Sequence, residues 1–144
     1  MKKYIFLALA SALAFPAMAE TYSLGEIKIE NTWIQEGPPR APTLAGYITL
    51  ENSGATADRL IGVETAAVEK VELHTSVVTD GIARMALMDG GLLLPAGETV
   101  TLGEDGTHAM FINPSEPYRD GAKIAATLIF EQAGRIDVTF AVER

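Results

Sequence analysis

Cysteine is absent from this chain of 144 residues, and histidine occurs only twice. The missing thiol excludes disulfides, thiol catalysis, thiolate zinc sites, iron–sulfur clusters and the Cys-ligated copper of electron-transfer proteins. Basic residues are also scarce, because 11 Lys and Arg stand against 19 Asp and Glu, which gives a formal charge of −8. Phosphate binding needs a basic patch, so this balance argues against nucleic acid and anionic membrane surfaces as partners.

The chain also lacks an apolar run long enough for a membrane-spanning helix, which needs about 20 residues. Its N-terminus instead has the order of a secretory signal peptide: two lysines, a short apolar run, and a small-x-small sequence at residues 17–19. We expect cleavage after Ala19, so that residues 1–19 are the signal peptide and residues 20–144 are an exported, soluble domain without membrane insertion. No Cys follows the cleavage site, and we therefore expect no lipid anchor.

Alternating apolar and polar residues predict antiparallel β-strands along the mature chain. The clearest is a C-terminal hairpin, in which a turn at residues 132–134 separates two alternating runs at 124–130 and 136–142. Seven or more short strands between turn sequences, without any sustained helical period, predict a single all-β domain, a sandwich or Greek-key barrel. The other strand candidates lie at 27–29, 48–50, 60–64, 69–78, 82–88, 98–102 and 108–113. We expect five aromatic residues to pack in the core or in turns: Trp33, Tyr47, Phe111, Phe130 and Phe140.

The soft side chains of the mature protein all lie in one window. Two His and three Met remain after signal removal, namely His74, Met85, Met88, His108 and Met110. Thioether sulfur prefers Cu(I), and imidazole binds Cu(I), Cu(II) and zinc, so a His and Met set without Cys indicates Cu(I). His108 and Met110 are two residues apart in a predicted strand, which places both on the same face.

A tight hairpin connects the first His to the first of these Met residues. If residues 80–81 form a type I′ turn, Met85 lies opposite Ser76 and diagonally across from His74, within reach of a long side chain. Met88 then falls on the opposite face, where it packs in the core. A register slip of one residue would exchange the two Met residues, so the choice of Met85 depends on that turn.

Three alternatives stay open on the residues alone. A zinc site would use the imidazoles but gain little from thioethers. An exported β-sandwich that serves as a binding or adhesion module, with no metal role, would carry His74 and His108 on its surface. An enzyme would need a nucleophile or an acid–base pair, and the only acidic cluster, Glu104 and Asp105, lies in a Gly-flanked turn typical of solvated residues.

The sequence around these residues resembles the periplasmic copper chaperones of the PCu(A)C family. The run of His74, ten residues, Met85, twenty-two residues and His108-Ala109-Met110 is similar to the family's His/Met signature. The flanking segments 45–54, 71–74 and 94–102 are similar as well, and the likeness covers essentially the whole mature chain.

Two positions depart from the family pattern. Thr75 stands where a Met often follows the first His, which removes an auxiliary thioether. The spacing before His108 is one residue longer than the commonest form of the motif. The extra residue lies in the loop region 103–107, where an insertion costs little.

The resemblance implies a cupredoxin-like Greek-key β-sandwich or barrel that binds one Cu(I) through His74, Met85, His108 and Met110, and it leaves open whether Cu(II) is also carried. It further implies a periplasmic copper chaperone rather than an enzyme. Such a chaperone delivers copper to the binuclear copper centre of cytochrome c oxidase, with Sco-type thiol proteins and cytochrome c oxidase subunit II as acceptors.

Overall fold

A computed structural model describes residues 20–103 and 106–144 of the chain. The expected signal peptide and the acidic pair Glu104 and Asp105 lie outside these described residues. Within them the chain forms eleven β-strands and no helix, which confirms the predicted all-β class. The strands are β1 (Tyr22–Leu24), β2 (Ile27–Gln35), β3 (Thr43–Asn52), β4 (Asp58–Glu64), β5 (Val68–Thr79), β6 (Ile82–Leu87), β7 (Leu92–Leu94), β8 (Thr99–Leu102), β9 (Thr107–Pro114), β10 (Lys123–Phe130) and β11 (Gly134–Glu143).

The strands belong to one open hydrogen-bonded sheet in the order β6-β5-β9-β3-β2-β11-β10-β4-β7, with β1 paired to β2 and β8 paired to β3. Strands β2 and β11 pair in parallel. Phe111 of β9 meets Phe140 of β11 edge to face at 5.3 Å between ring centroids, although two strands separate β9 from β11 in the sheet order. This contact shows that the sheet curls over on itself. The concave inner face therefore encloses a common apolar core.

The C-terminal hairpin forms as predicted, with β10 and β11 paired antiparallel from Phe130 opposite Gly134 to Lys123 opposite Ala141. The inward face of β10 is the predicted alternate set, which is buried in the core. Strands β1 and β7 were not predicted, because three residues are too few to show a period of two.

An irregularity in β2 changes which aromatic residues reach the core. The register shifts between Glu30 and Trp33, where Asn31 adopts a positive φ of 53°. Such a bulge adds one residue to the strand, so the inward alternation changes parity beyond it. Trp33 therefore lies half-buried on the outer face, stacked on Tyr47 at 4.2 Å between ring centroids. Of the five aromatic residues expected in the core or in turns, the three phenylalanines are buried, whereas this stacked pair lies outside the core.

Candidate metal centre

The β5–β6 hairpin has the register that the sequence predicts. Its turn residues Asp80 and Gly81 have φ angles of 52° and 76°, the two positive values that define a type I′ turn. Ser76 consequently pairs with Met85 across the hairpin. The neighbouring pair on the same face is His74 with Leu87, so Met85 is a diagonal neighbour of His74.

Strand β9 lies against the other side of β5 and brings the second His beside the first. His74 pairs directly with His108, and the next pair on that face is Glu72 with Met110. The N–H of Ser76 donates to the carbonyl of Gly106 at 2.9 Å, so these two residues form a hydrogen-bonded pair. Every second pair along an antiparallel ladder is of this kind. The two His residues form one of these pairs, for which the Cα atoms are about 5.5 Å apart.

The four predicted ligand residues thus lie together on the outer face of three adjacent strands. Met85 lies on β6, His74 on β5, and His108 and Met110 on β9. Met88 lies on the opposite face, donates its backbone N–H to the carbonyl of Leu73 at 2.8 Å, and packs against the apolar core. The structure therefore brings four of the five soft side chains together and separates the fifth.

A close contact in the core holds β9 in this orientation. Ala109 and Phe111 alternate with the two predicted ligand residues of β9 and are fully buried. A Cβ at Gly46 would lie 2.3 Å from a carbon of the Phe111 ring, so only glycine leaves room for this ring against β3. Burial of these inner side chains fixes His108 and Met110 on the outer face.

The candidate site lies at the surface of the protein. Met85 is 49% exposed and its neighbour Leu87 is 53% exposed, because β6 is an edge strand with one hydrogen-bonded neighbour in the sheet order. The His74 side chain is 21% exposed. The face that carries these side chains is accessible to another molecule, whereas the opposite faces of β5 and β9 pack into the core.

A charged network on β5 adjoins the two His residues. Lys70 Nζ lies 2.7 Å from Glu72 Oε1, and His74 Nε2 lies at hydrogen-bond distance from Glu72 Oε2, also 2.7 Å. The hydrogen bond from Lys70, and after it that from His74, lowers the pKa of Glu72 below its usual value. Glu72 was not predicted as a site residue, although Lys70, Glu72 and His74 alternate along a predicted strand, which was sufficient to place them on one face.

The imidazole of His108 differs from that of His74 in its surroundings. Its Nδ1 atom is buried and has no hydrogen-bond partner among the described residues. An orphan buried nitrogen is uncommon in native proteins and needs an explanation such as an ion.

No group of three or more His, Cys, Asp or Glu in the described part of the chain is arranged to hold a metal ion.

This arrangement of strands is that of a PCuAC domain. The copper-bound PCuAC domain from PmoF2 has a TM-score of 0.72 and 29% identity to this chain, and the match covers 86% of this chain and 97% of that domain. The Cu(I) form of DR1885 from Deinococcus radiodurans has a TM-score of 0.65 and 26% identity, over 93% of this chain and 83% of that chain. The expected cupredoxin-like fold is therefore confirmed.

By its sequence the chain belongs to the LpqE-like family, described as "Putative lipoprotein LpqE-like", whose model matches residues 27–142. A protein of Leifsonia xyli subsp. xyli, described as "Putative lipoprotein Lxx21020", is 25% identical over 134 residues, which cover 92% of this chain and 80% of that protein. The lipoprotein descriptions indicate exported proteins, and these relatives are described as lipoproteins or as copper-binding domains rather than as enzymes. Across the described residues, no helix has the length and hydropathy needed to cross a membrane.

Proposed function

We propose that this chain is a copper chaperone that binds one Cu(I) through His74, Met85, His108 and Met110. The observation that carries the proposal is the placement of these four side chains on one outer face of three adjacent strands. The likeness to a PCuAC domain described as copper-bound, and to DR1885 in its Cu(I) form, supports the choice of metal.

The chemistry of the donor set favours the cuprous ion. Two imidazoles and two thioethers are neutral and soft, a combination that suits Cu(I) better than zinc or hard cations. The buried Nδ1 atom of His108 has no hydrogen-bond partner among the described residues. A bound copper ion at this nitrogen would remove the cost of leaving it buried without a partner.

The exposure of the site suits transfer rather than catalysis. Because Met85 is half exposed, a sulfur ligand of an acceptor can approach the metal and replace the protein ligands one at a time. The chain has no thiol, so it can release copper without oxidation of a dithiol of its own. We propose Sco-type thiol proteins and cytochrome c oxidase subunit II as acceptors, with the binuclear copper centre as destination; this assignment rests on the resemblance to the PCu(A)C chaperones.

The proposed compartment is the periplasm. The N-terminal sequence has the order of a signal peptide, and we propose that processing after Ala19 releases a copper-binding domain of residues 20–144. The lipoprotein descriptions of the family are consistent with export.

Titration of the purified apoprotein with Cu(I) in the presence of a competing chelator tests this proposal. We expect one Cu(I) per chain and at least about a tenfold loss of affinity for each of three variants, His74→Ala, Met85→Leu and Met110→Leu, which corresponds to about 1.4 kcal/mol or more. Copper K-edge absorption of the loaded protein should show two sulfur and two nitrogen neighbours.

Other results would select other functions. Absence of sulfur neighbours would refute the Met ligands, and a site insensitive to Met→Leu changes that prefers Zn²⁺ would be a zinc site. No binding of either metal would leave the exported binding or adhesion module as the function. Met88→Leu is the matched control, since Met88 packs against the core and lies outside the proposed site.

A further inference from the structure

Glu72 lies inside the framework of the candidate site without being one of its soft ligands. It is two residues before His74 on the same face of β5, and it pairs with Met110 across the β5–β9 ladder. Its two carboxylate oxygens have separate partners: Oε1 faces Lys70 Nζ and Oε2 faces His74 Nε2, each at 2.7 Å. The carboxylate is thereby held in one orientation against the imidazole.

This contact constrains the imidazole of His74. A carboxylate can only accept, so the ring nitrogen that faces it must carry the hydrogen. In neutral imidazole the other nitrogen then has the free lone pair. Carboxylate–histidine–metal arrangements of this kind fix the tautomer and the ring orientation of a metal ligand.

We propose that Glu72 is a positioning residue for copper, which holds the Nε2–H tautomer of His74 and so presents its Nδ1 to the metal. Lys70 supports this role because it engages the second carboxylate oxygen and restrains rotation of the group. The inference rests on the proposed copper site. Its first consequence, the tautomer of His74, is a property of the metal-free protein.

The metal-free protein provides the first test, by long-range ¹H–¹⁵N correlation spectra of the imidazoles. We expect the Nε2–H tautomer of His74 in the wild type and in Glu72→Gln, whose side-chain carbonyl still accepts the hydrogen bond. Glu72→Ala removes the acceptor, and we expect a mixture of both tautomers. A wild-type His74 with its proton on Nδ1 would overturn the proposal.

The second test measures Cu(I) affinity by chelator competition in the same variants. We expect Glu72→Ala to weaken binding by about 10- to 100-fold, the usual range for loss of a partner behind a metal ligand, and Glu72→Gln to retain most of the affinity. The control is Glu64→Ala, because Glu64 is also paired with a basic residue, Arg135, but lies on β4. It should leave affinity unchanged.

The results separate this inference from the proposed function. Equal affinity in the wild type and Glu72→Ala, or equal losses in the Gln and Ala variants, would overturn the positioning role while wild-type copper binding stands. Failure of the wild type to bind Cu(I), or binding that is insensitive to His74→Ala, would instead overturn the copper site. The amide spectrum of each variant verifies that it is folded.

Discussion

Met85 and Met88 are three residues apart, and they face opposite sides of the β5–β6 hairpin. Met85 is 49% exposed beside the two His residues, whereas Met88 packs against the core. Leucine retains the apolar bulk of Met but has no sulfur. The two positions therefore offer a matched pair in which the same change should affect different properties.

We expect Met85→Leu to lower Cu(I) affinity at least about tenfold and to leave the free energy of unfolding of the apoprotein within about 0.5 kcal/mol of the wild type. Met88→Leu should leave the affinity unchanged and alter stability by less than about 1.5 kcal/mol, as a nearly volume-conserving core change. Chelator competition and urea unfolding measure the two quantities. A larger loss of affinity in Met88→Leu would show that the hairpin register is shifted by one residue.

Local chemistry in the sequence was sufficient to predict part of this site. The two positive-φ residues at 80–81 set the hairpin register, so the sequence could place Met85 opposite Ser76 and Met88 on the other face. The pairing of His74 with His108 joins strands that are distant in the chain, and alternation within each strand carries no information about it. Alternation also carries no information about the outward position of Trp33, because the bulge in β2 changes which residues of that strand face the core.

At the scale of strands and turns, a buried carboxylate joins a strand to a neighbouring turn. Asp58, at the start of β4, is 5% exposed. Its Oδ1 accepts from the backbone N–H of Arg59 at 2.7 Å and of Gln132 at 2.8 Å, and its Oδ2 accepts from Ala133 at 3.0 Å. These bonds tie β4 to the turn between β10 and β11.

We expect Asp58→Ala to lower the free energy of unfolding by about 3 kcal/mol, because buried N–H groups lose a charged acceptor. Copper affinity should not change, since the hydrogen bonds of Asp58 join β4 to the turn between β10 and β11, and neither of these carries a proposed ligand. Asp137→Ala is the control: Asp137 accepts from Thr127 on the exposed side of the same hairpin. Urea unfolding that shows equal stability for both variants would contradict a special role for Asp58.

Over the whole molecule, stability and accessibility are distributed unequally. The largest fully buried side chains come from strands such as β2, β3, β9 and β11, whereas β6 exposes Ile82, Met85 and Leu87 at the edge of the sheet. Segments with few buried apolar contacts open locally at a lower free energy than the core. The sheet therefore places the strand that carries Met85 at the end that opens most easily.

This distribution predicts that copper stabilises the molecule unevenly. Amide hydrogen exchange of the apoprotein should be faster in β6 than in β10 or β11, because β6 has one neighbour in the sheet order and little buried surface. Bound Cu(I) would join Met85 of β6 to ligands on β5 and β9, so opening of β6 would require loss of that bond. At a free Cu(I) concentration 100-fold above the dissociation constant, exchange in β6 should slow by up to about 100-fold.

The Met85→Leu variant provides the control, because Cu(I) held by the remaining three side chains no longer reaches β6. In that variant β5 and β9 should still gain protection on copper addition, and β6 should not. Protection of β6 equal to that of β10 before copper is added would contradict the local opening. Copper-induced protection that is uniform over all strands would mean that the site is a rigid part of the core, and release to an acceptor would then need a larger conformational change than the separation of one edge strand.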